Sequence, residues 1–224
     1  MNKLVYTFLI IFLSSSMQAQ KDSLQLGDRY SEDQMYISIS YAQLFSQPEA
    51  ISRSSFSYGI SLGILKDFSL NKDGTFALAM GIGYGYDFFN HELKVEEING
   101  TTIFNEGLNI TNNVFKGHNL EFPIEVRWRT SNAKKYNFWR IYGGIKFLYN
   151  LSNKFQFDEN GTSFQFKNVS AYNNFRYGLT LSAGFDEFNI NIFYSLNPIF
   201  ENVTFNNQNI NSKILKFGLI FYIL

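Results

Sequence analysis

The sequence predicts an all-β fold: an eight-stranded antiparallel transmembrane β-barrel with both termini in the periplasm. Three observations carry this. Apolar residues alternate strictly with small or polar ones over long runs, the period of strands with two unlike faces. The composition holds 25 Phe, 14 Tyr and 16 Gly but no Cys, with charged residues at 17 %, which suits an aromatic-rich lipid face and an open lumen wall. Long and short connections alternate along the chain, as in outer-membrane barrels.

The alternation is clearest between Phe56 and Phe88. Phe56, Tyr58, Ile60, Leu62 and Ile64 share one face, and after a polar turn Phe76, Leu78, Met80, Ile82, Tyr84, Tyr86 and Phe88 continue it. Between them stand Ser57, Gly59, Ser61, Gly63, then Ala77, Ala79, Gly81, Gly83 and Gly85. A soluble strand would place Lys, Glu or Thr on its second face. A tiny second face suits the crowded interior of a small closed barrel. These runs are the second and third strands.

The first strand is 35–44, with Ile37, Ile39 and Tyr41 outward. The fourth, 115–129, sends Leu120, Phe122, Ile124, Val126 and Trp128 outward and Glu121, Pro123, Glu125, Arg127 and Arg129 inward. The fifth, 138–151, sends Trp139, Ile141, Ile145, Phe147 and Tyr149 outward and Arg140, Tyr142, Gly144 and Lys146 inward. The sixth is 174–185, with Arg176 inward; the turn Asp186-Glu187 leads to the seventh, 188–197, and the eighth is 213–224. The odd connections are roughly 10, 25, 20 and 15 residues long and the even ones roughly 9, 8 and 2. That pattern places the long loops outside the cell. Trp128 and Trp139 flank a short connection, where a periplasmic aromatic girdle is expected. A soluble barrel turned inside out fails on volume, because eight strands enclose one layer of side chains.

Residues 1–20 read as a signal peptide, 21–33 as a periplasmic arm and 34–224 as the barrel. Lys3 supplies the charged start, Leu4 to Leu13 the apolar core, and cleavage is expected after Ala19 or Gln20. The apolar run is too short for a membrane helix. The lack of Cys excludes disulfides, thiolate metal sites and a lipid-anchored lipoprotein. A formal net charge of zero without basic blocks argues against nucleic acid as a partner.

Strand parity gathers Glu121, Glu125, Arg127, Arg129, Arg140, Lys146, Arg176 and Asp87 in the lumen, opposite the bare wall. They are expected to form one shared salt-bridged plug; the alternative is a selective pore or proton path. Arg placed at Leu62, Ile82 or Leu219 should be costly, and Arg at Ser61 better tolerated. In the outer loops, Asn160-Gly161 signals a hairpin that pairs Phe157 with Phe164 and Phe155 with Phe166, so all four rings share a face. Asn99-Gly100 repeats the design, pairing Val95 with Phe104 and leaving Leu93 on the same side. These faces need cover, from each other and the last loop or from another envelope protein.

No catalytic, cofactor-binding or metal-ligating motif stands out, and the chain is not expected to be an enzyme. Gly81-x-Gly83-x-Gly85 lies within a strand, where it serves a bare face rather than phosphate. His91 and His118 near the outer rim keep a lipid-modifying barrel enzyme as an alternative, alongside a small passive porin. Sequons such as those at Asn109 and Asn160 are expected by chance in an Asn-rich chain. Asp22-Ser23-Leu24 matches a three-residue bacterial O-glycosylation site. Lys216, Gly218, Phe221 and Ile223 fit the C-terminal pattern read by the barrel assembly machinery, except that Leu224 follows.

Three stretches carry a family resemblance: LGDRYSEDQMYISISYAQL (26–44), LEFPIEVRWRTSNAKKYNFWRIYGG (120–144), and FRYGLTLSAGF (175–185) with YSLNPIF (194–200). With the ending LKFGLIFYIL they are similar to the PorT family of Bacteroidetes outer-membrane barrels. The resemblance implies an eight-stranded barrel in the cell outer membrane after signal-peptide cleavage. It also implies a structural or accessory role in type IX protein secretion and gliding motility, although many relatives carry a porin-family label. The partners expected are outer-membrane lipid, the assembly machinery acting on the last strand, and other type IX secretion components.

Overall fold

The computed structural model describes residues 33–47, 55–106, 110–130, 139–186, 188–201, 203–205 and 208–223. The predicted signal peptide, nearly all of the arm, Asn109, Glu187 and Leu224 lie outside the described residues. In chain order the strands are β1 (Gln34–Phe45), β2 (Tyr58–Ser69), β3 (Phe76–Asn90), β4 (Leu93–Ile98), β5 (Thr101–Glu106), β6 (Ile110–Arg129) and β7 (Trp139–Glu159). They continue as β8 (Thr162–Lys167), β9 (Phe175–Phe185), β10 (Phe188–Ser195), β11 (Thr204–Phe205), β12 (Gln208–Asn209) and β13 (Lys213–Ile223).

Eight of these form the wall. Each pairs antiparallel with the next in the order β6-β3-β2-β1-β13-β10-β9-β7, and the β6–β7 pairing closes the ring. Closure removes every edge from the membrane layer, where an unpaired backbone group is costly. The register follows the predicted parity. Ile37 stands opposite Leu62, Leu62 opposite Tyr84, Tyr84 opposite Leu120, and Ile192 opposite Phe217. At these mid-wall positions apolar residues therefore meet apolar residues on the outer face. Ile39, Leu62, Leu181 and Leu219 are 43–55 % exposed, a face that only lipid can cover.

The wall strands exceed their predicted spans at the long-loop end. β3 runs to Asn90, β6 starts at Ile110 and β7 reaches Glu159. The β4–β5 hairpin, strand β8 and the β11–β12 hairpin cluster at the same end. The two Asn-Gly turns have positive φ at both residues, 50° and 78° at Asn99-Gly100 and 50° and 77° at Asn160-Gly161, the type I′ geometry that matches strand twist. The pairings are Phe157 with Phe164, Phe155 with Phe166, and Val95 with Phe104. At the opposite end β2 runs on to Ser69, past Ile64 where the apolar alternation stops. Lys66 interrupts the pattern but not the ladder, and its inward neighbour Asp67 joins the lumen.

A β-bulge marks the change from wall to cap. Asn119 pairs with Asn150, but His118 pairs with Ser152. Leu151 is the extra residue, and it reverses the parity of β7. Below it Arg140, Tyr142, Lys146, Leu148 and Asn150 face inward; above it Asn153, Phe155 and Phe157 do.

Candidate functional site

The lumen charges form two clusters rather than the single network expected. Near the short connections, Arg127 Nη1 donates to Asp67 Oδ1 at 2.7 Å and to Gln34 Oε1 at 3.1 Å. Its Nε and Nη2 donate to Glu125 Oε2 at 3.1 and 3.0 Å. Arg129 Nη1 bonds the other oxygen of Asp67, and its Nε donates to the Gly74 carbonyl at 2.8 Å. The Arg127 guanidinium lies 4.5 Å from the centre of the Tyr142 ring and 5.5 Å from that of Tyr222. Arg140 lies 5.7 Å from the Tyr222 ring centre. The side chains of Arg127, Arg129 and Asp67 are fully buried, so only paired charges are tolerable there.

Towards the cap, Glu121 belongs to Lys146, whose Nζ donates to Oε2 at 2.8 Å. Tyr36 donates to the same oxygen at 3.1 Å, and Ser61 to Oε1 at 3.0 Å. Asp87 pairs with Lys216 and accepts from Asn119 Nδ2 at 3.0 Å. Arg176 donates to Asn119 Oδ1 at 2.9 Å, reaching Asp87 only through that amide. The eight predicted lumen residues all face inward, but their grouping differs because Asp67 takes two arginines and Lys216 takes Asp87. Both omissions were detectable. Asp67 continues the parity of Ser57 to Gly63, and Lys216 alternates with Leu215 and Phe217.

The glycine wall is the counterpart of these side chains, not spare room. A Cβ on Gly83 would lie 2.1 Å from the Tyr36 hydroxyl, and one on Gly85 2.5 Å from Glu121 Oε1. A lumen cavity bordered by Ser40, Ser61, Glu121, Lys146 and Lys216 has about 10 Å³, space for one water. Ser61 borders this cavity and donates to Glu121, so a longer side chain there would have to displace its neighbours.

Above the lumen the interior becomes apolar. Phe89, Phe115 and Phe155 stack with ring centres 5.6 and 4.6 Å apart, and Phe104 packs edge-on against Phe200 at 4.9 Å. Leu44, Leu93, Val95, Val169, Ile199 and Ile210 complete this core. Phe155 and Phe157 are each 1 % exposed, Phe166 is half-buried, and Phe164 stands at the surface against Phe157. The two long hairpins are tied together by Lys94, whose Nζ donates to Glu159 at 2.9 Å and sits 4.7 Å from the Phe157 ring centre. Burial opposes the Lys94 charge, but Glu159 and Glu96 outweigh it and hold the ammonium above its usual range.

The two histidines are not brought together. His118 faces outward between Tyr84 and Tyr86, bonding the Tyr84 hydroxyl. His91 is buried in the cap, where burial pushes its pKa down to about 4 against the opposing pull of the Leu93 backbone. Trp128 and Trp139 both face outward beside the short connection. Phe76 pairs with Trp128, and Phe185 packs edge-on to Trp139 at 5.5 Å, extending the belt. Among the described residues no three His, Asp or Glu side chains gather as metal ligands.

A closed antiparallel barrel with an apolar outer wall, an aromatic belt and a filled polar lumen defines the class: a small outer-membrane β-barrel protein. The chain belongs to the outer membrane protein beta-barrel domain family, whose model matches residues 18–201. A solved structure of Ail, the attachment invasion locus protein of Yersinia pestis, is similar with a TM-score of 0.36 and 12 % identity, covering 86 % of this chain and 97 % of that one. No curated protein matches the chain.

Proposed function

We propose that this protein is a non-enzymatic accessory barrel that blocks its own lumen and acts through its cap. The observation that carries this reading is the filling of the interior: ion pairs and tyrosines in the wall, stacked phenylalanines above. Small barrels of this strand number leave room for side chains and little bore. An open porin would need hydrated space along the axis, whereas the lumen cavity described above has about 10 Å³. The resemblance to PorT proteins points to type IX secretion as the process assisted. In this reading the signal peptide is cleaved and the arm and both chain termini lie in the periplasm. β13 engages the assembly machinery, and the cap projects outside to meet a secretion partner.

Two measurements test it. Purified protein in planar bilayers should give no stepwise conductance, and regular single-channel steps would favour the porin instead. Deleting the gene should leave type IX cargo inside the cell and abolish gliding. The wild-type gene should restore both, and so should a His118→Phe variant, because no catalysis at the outer rim is involved. Normal secretion after deletion would remove the secretion role.

A further inference from the structure

Gln47, His91 and Ser212 come from three separate connections, after β1, after β3 and before β13, yet they border one small cavity in the cap. Its volume is about 10 Å³ and its remaining walls include Leu44, Phe115 and Phe155. Gln47 Oε1, His91 Nε2 and Ser212 Oγ are all buried, and none has a protein hydrogen-bond partner. A buried polar atom without a bond costs about 1–3 kcal/mol. Three of them converging within an apolar core indicate a ligand rather than a packing fault.

The chemistry of the three atoms identifies it. The hydrogen bond between His91 and the Leu93 backbone favours the protonated ring, so the ring is the donor and the Leu93 carbonyl the acceptor. Nε2 has no partner, so that bond falls to Nδ1, and neutral His91 presents Nε2 as an acceptor. Gln47 Oε1 is a second acceptor, and the Ser212 hydroxyl has a proton to give. Two acceptors and one donor are the complement of a single water molecule. A cavity of about this size holds one water centre and no acyl group or sugar. No carboxylate borders it, so a metal cation would be left without charge compensation.

We infer that one ordered water is a structural part of the cap, donating to His91 Nε2 and Gln47 Oε1 and accepting from Ser212 Oγ. It joins the first, third and seventh wall connections at one point and holds the cap closed over the lumen. The inference stands whether or not the protein assists secretion.

The test uses the full chain in lipid nanodiscs with ¹⁵N-labelled histidine. At neutral pH His91 should carry its proton on Nδ1, and its ring protons should show cross-relaxation to a slowly exchanging water. An Nε2–H tautomer, or no water signal at the ring, would overturn the inference. Cap opening is read separately by trypsin cleavage at Lys94, Lys154 and Lys167. Ser212→Ala should speed cleavage about tenfold, the loss of one buried hydrogen bond. Replacing all three polar atoms together, by Gln47→Met, His91→Phe and Ser212→Ala, should slow it again, because no buried polar atom is then left unpaired. Parental cleavage in Ser212→Ala, or no recovery in the triple variant, would also overturn it. If Ser212→Ala fails to fold, the ring-nitrogen spectrum decides alone.

Discussion

The wall and the cap of this barrel are built on the same strands but are opposite in polarity. In the wall the outside is Leu, Ile, Phe and Tyr and the inside is Arg, Lys, Asp, Glu and Ser. In the cap Phe89, Phe115, Phe155 and Phe157 turn inward, while polar residues such as Thr162, Ser163 and Gln165 are exposed. The difference follows from the solvent outside. Lipid offers an apolar side chain nothing to gain by burial, so it stays on the surface and the polar residues must satisfy each other inside. Water reverses the preference. Along β3 the change takes one inward step, from Asp87 to Phe89, and along β7 it coincides with the bulge at Leu151.

The sharpest way to break this comparison is to remove one lumen charge. Asp67→Ala would leave Arg127 and Arg129 short of a buried carboxylate, and should cost about 3–5 kcal/mol. The expected reading is a large fall in the urea midpoint of the folded barrel in lipid vesicles. An unchanged midpoint would mean that water reaches the lumen freely. Next, Leu62→Arg on the lipid face should cost about 2–4 kcal/mol near mid-wall, while Ser61→Gly on the lumen face loses one hydrogen bond to Glu121, about 1 kcal/mol. Comparable folding losses for the two would contradict the assignment of faces.

The cap has a pH response of its own. His91 is held neutral by burial, with its pKa lowered from 6.5 to about 4. Between those values the opened cap binds a proton that the closed cap refuses, so stability is intact above about 6.5 and is lost as pH falls towards about 4. The limiting loss is about 3 kcal/mol, read as faster proteolysis of the cap in acid while the barrel stays folded. His91→Phe should remove the pH dependence. The smallest effect is expected at the exposed pair Lys66–Asp33, whose side chains are 61 % and 51 % accessible. Lys66→Ala should shift stability by about 1 kcal/mol or less and be masked by salt.

The eight wall strands, their facing and the two loop hairpins were legible because each rests on local order. Period-2 alternation sets the face, and Asn-Gly sets the turn. The strand ends were less legible. The second strand is seen to stop at Ile64 because Lys66 breaks the apolar pattern, yet hydrogen bonding carries β2 to Ser69. That single extension hid Asp67, the acid that pairs both Arg127 and Arg129. Parity also showed that Glu121, Arg140 and Arg176 face inward, but it carries no information on height along the barrel axis or on distance across the lumen.

The amino-acid sequence by itself determined which residues face lipid and which face inward, because that choice is made one strand at a time by solvent and pleat. It also determined the strand count and the turns that join neighbours. Only the tertiary structure decided which charges meet, because pairing across the lumen depends on closure, on the stagger between strands and on Gly83 and Gly85 making room for Tyr36 and Glu121. It alone brought Gln47, His91 and Ser212 to one cavity. Residues that far apart in the chain become neighbours through ring closure, which no local periodicity encodes.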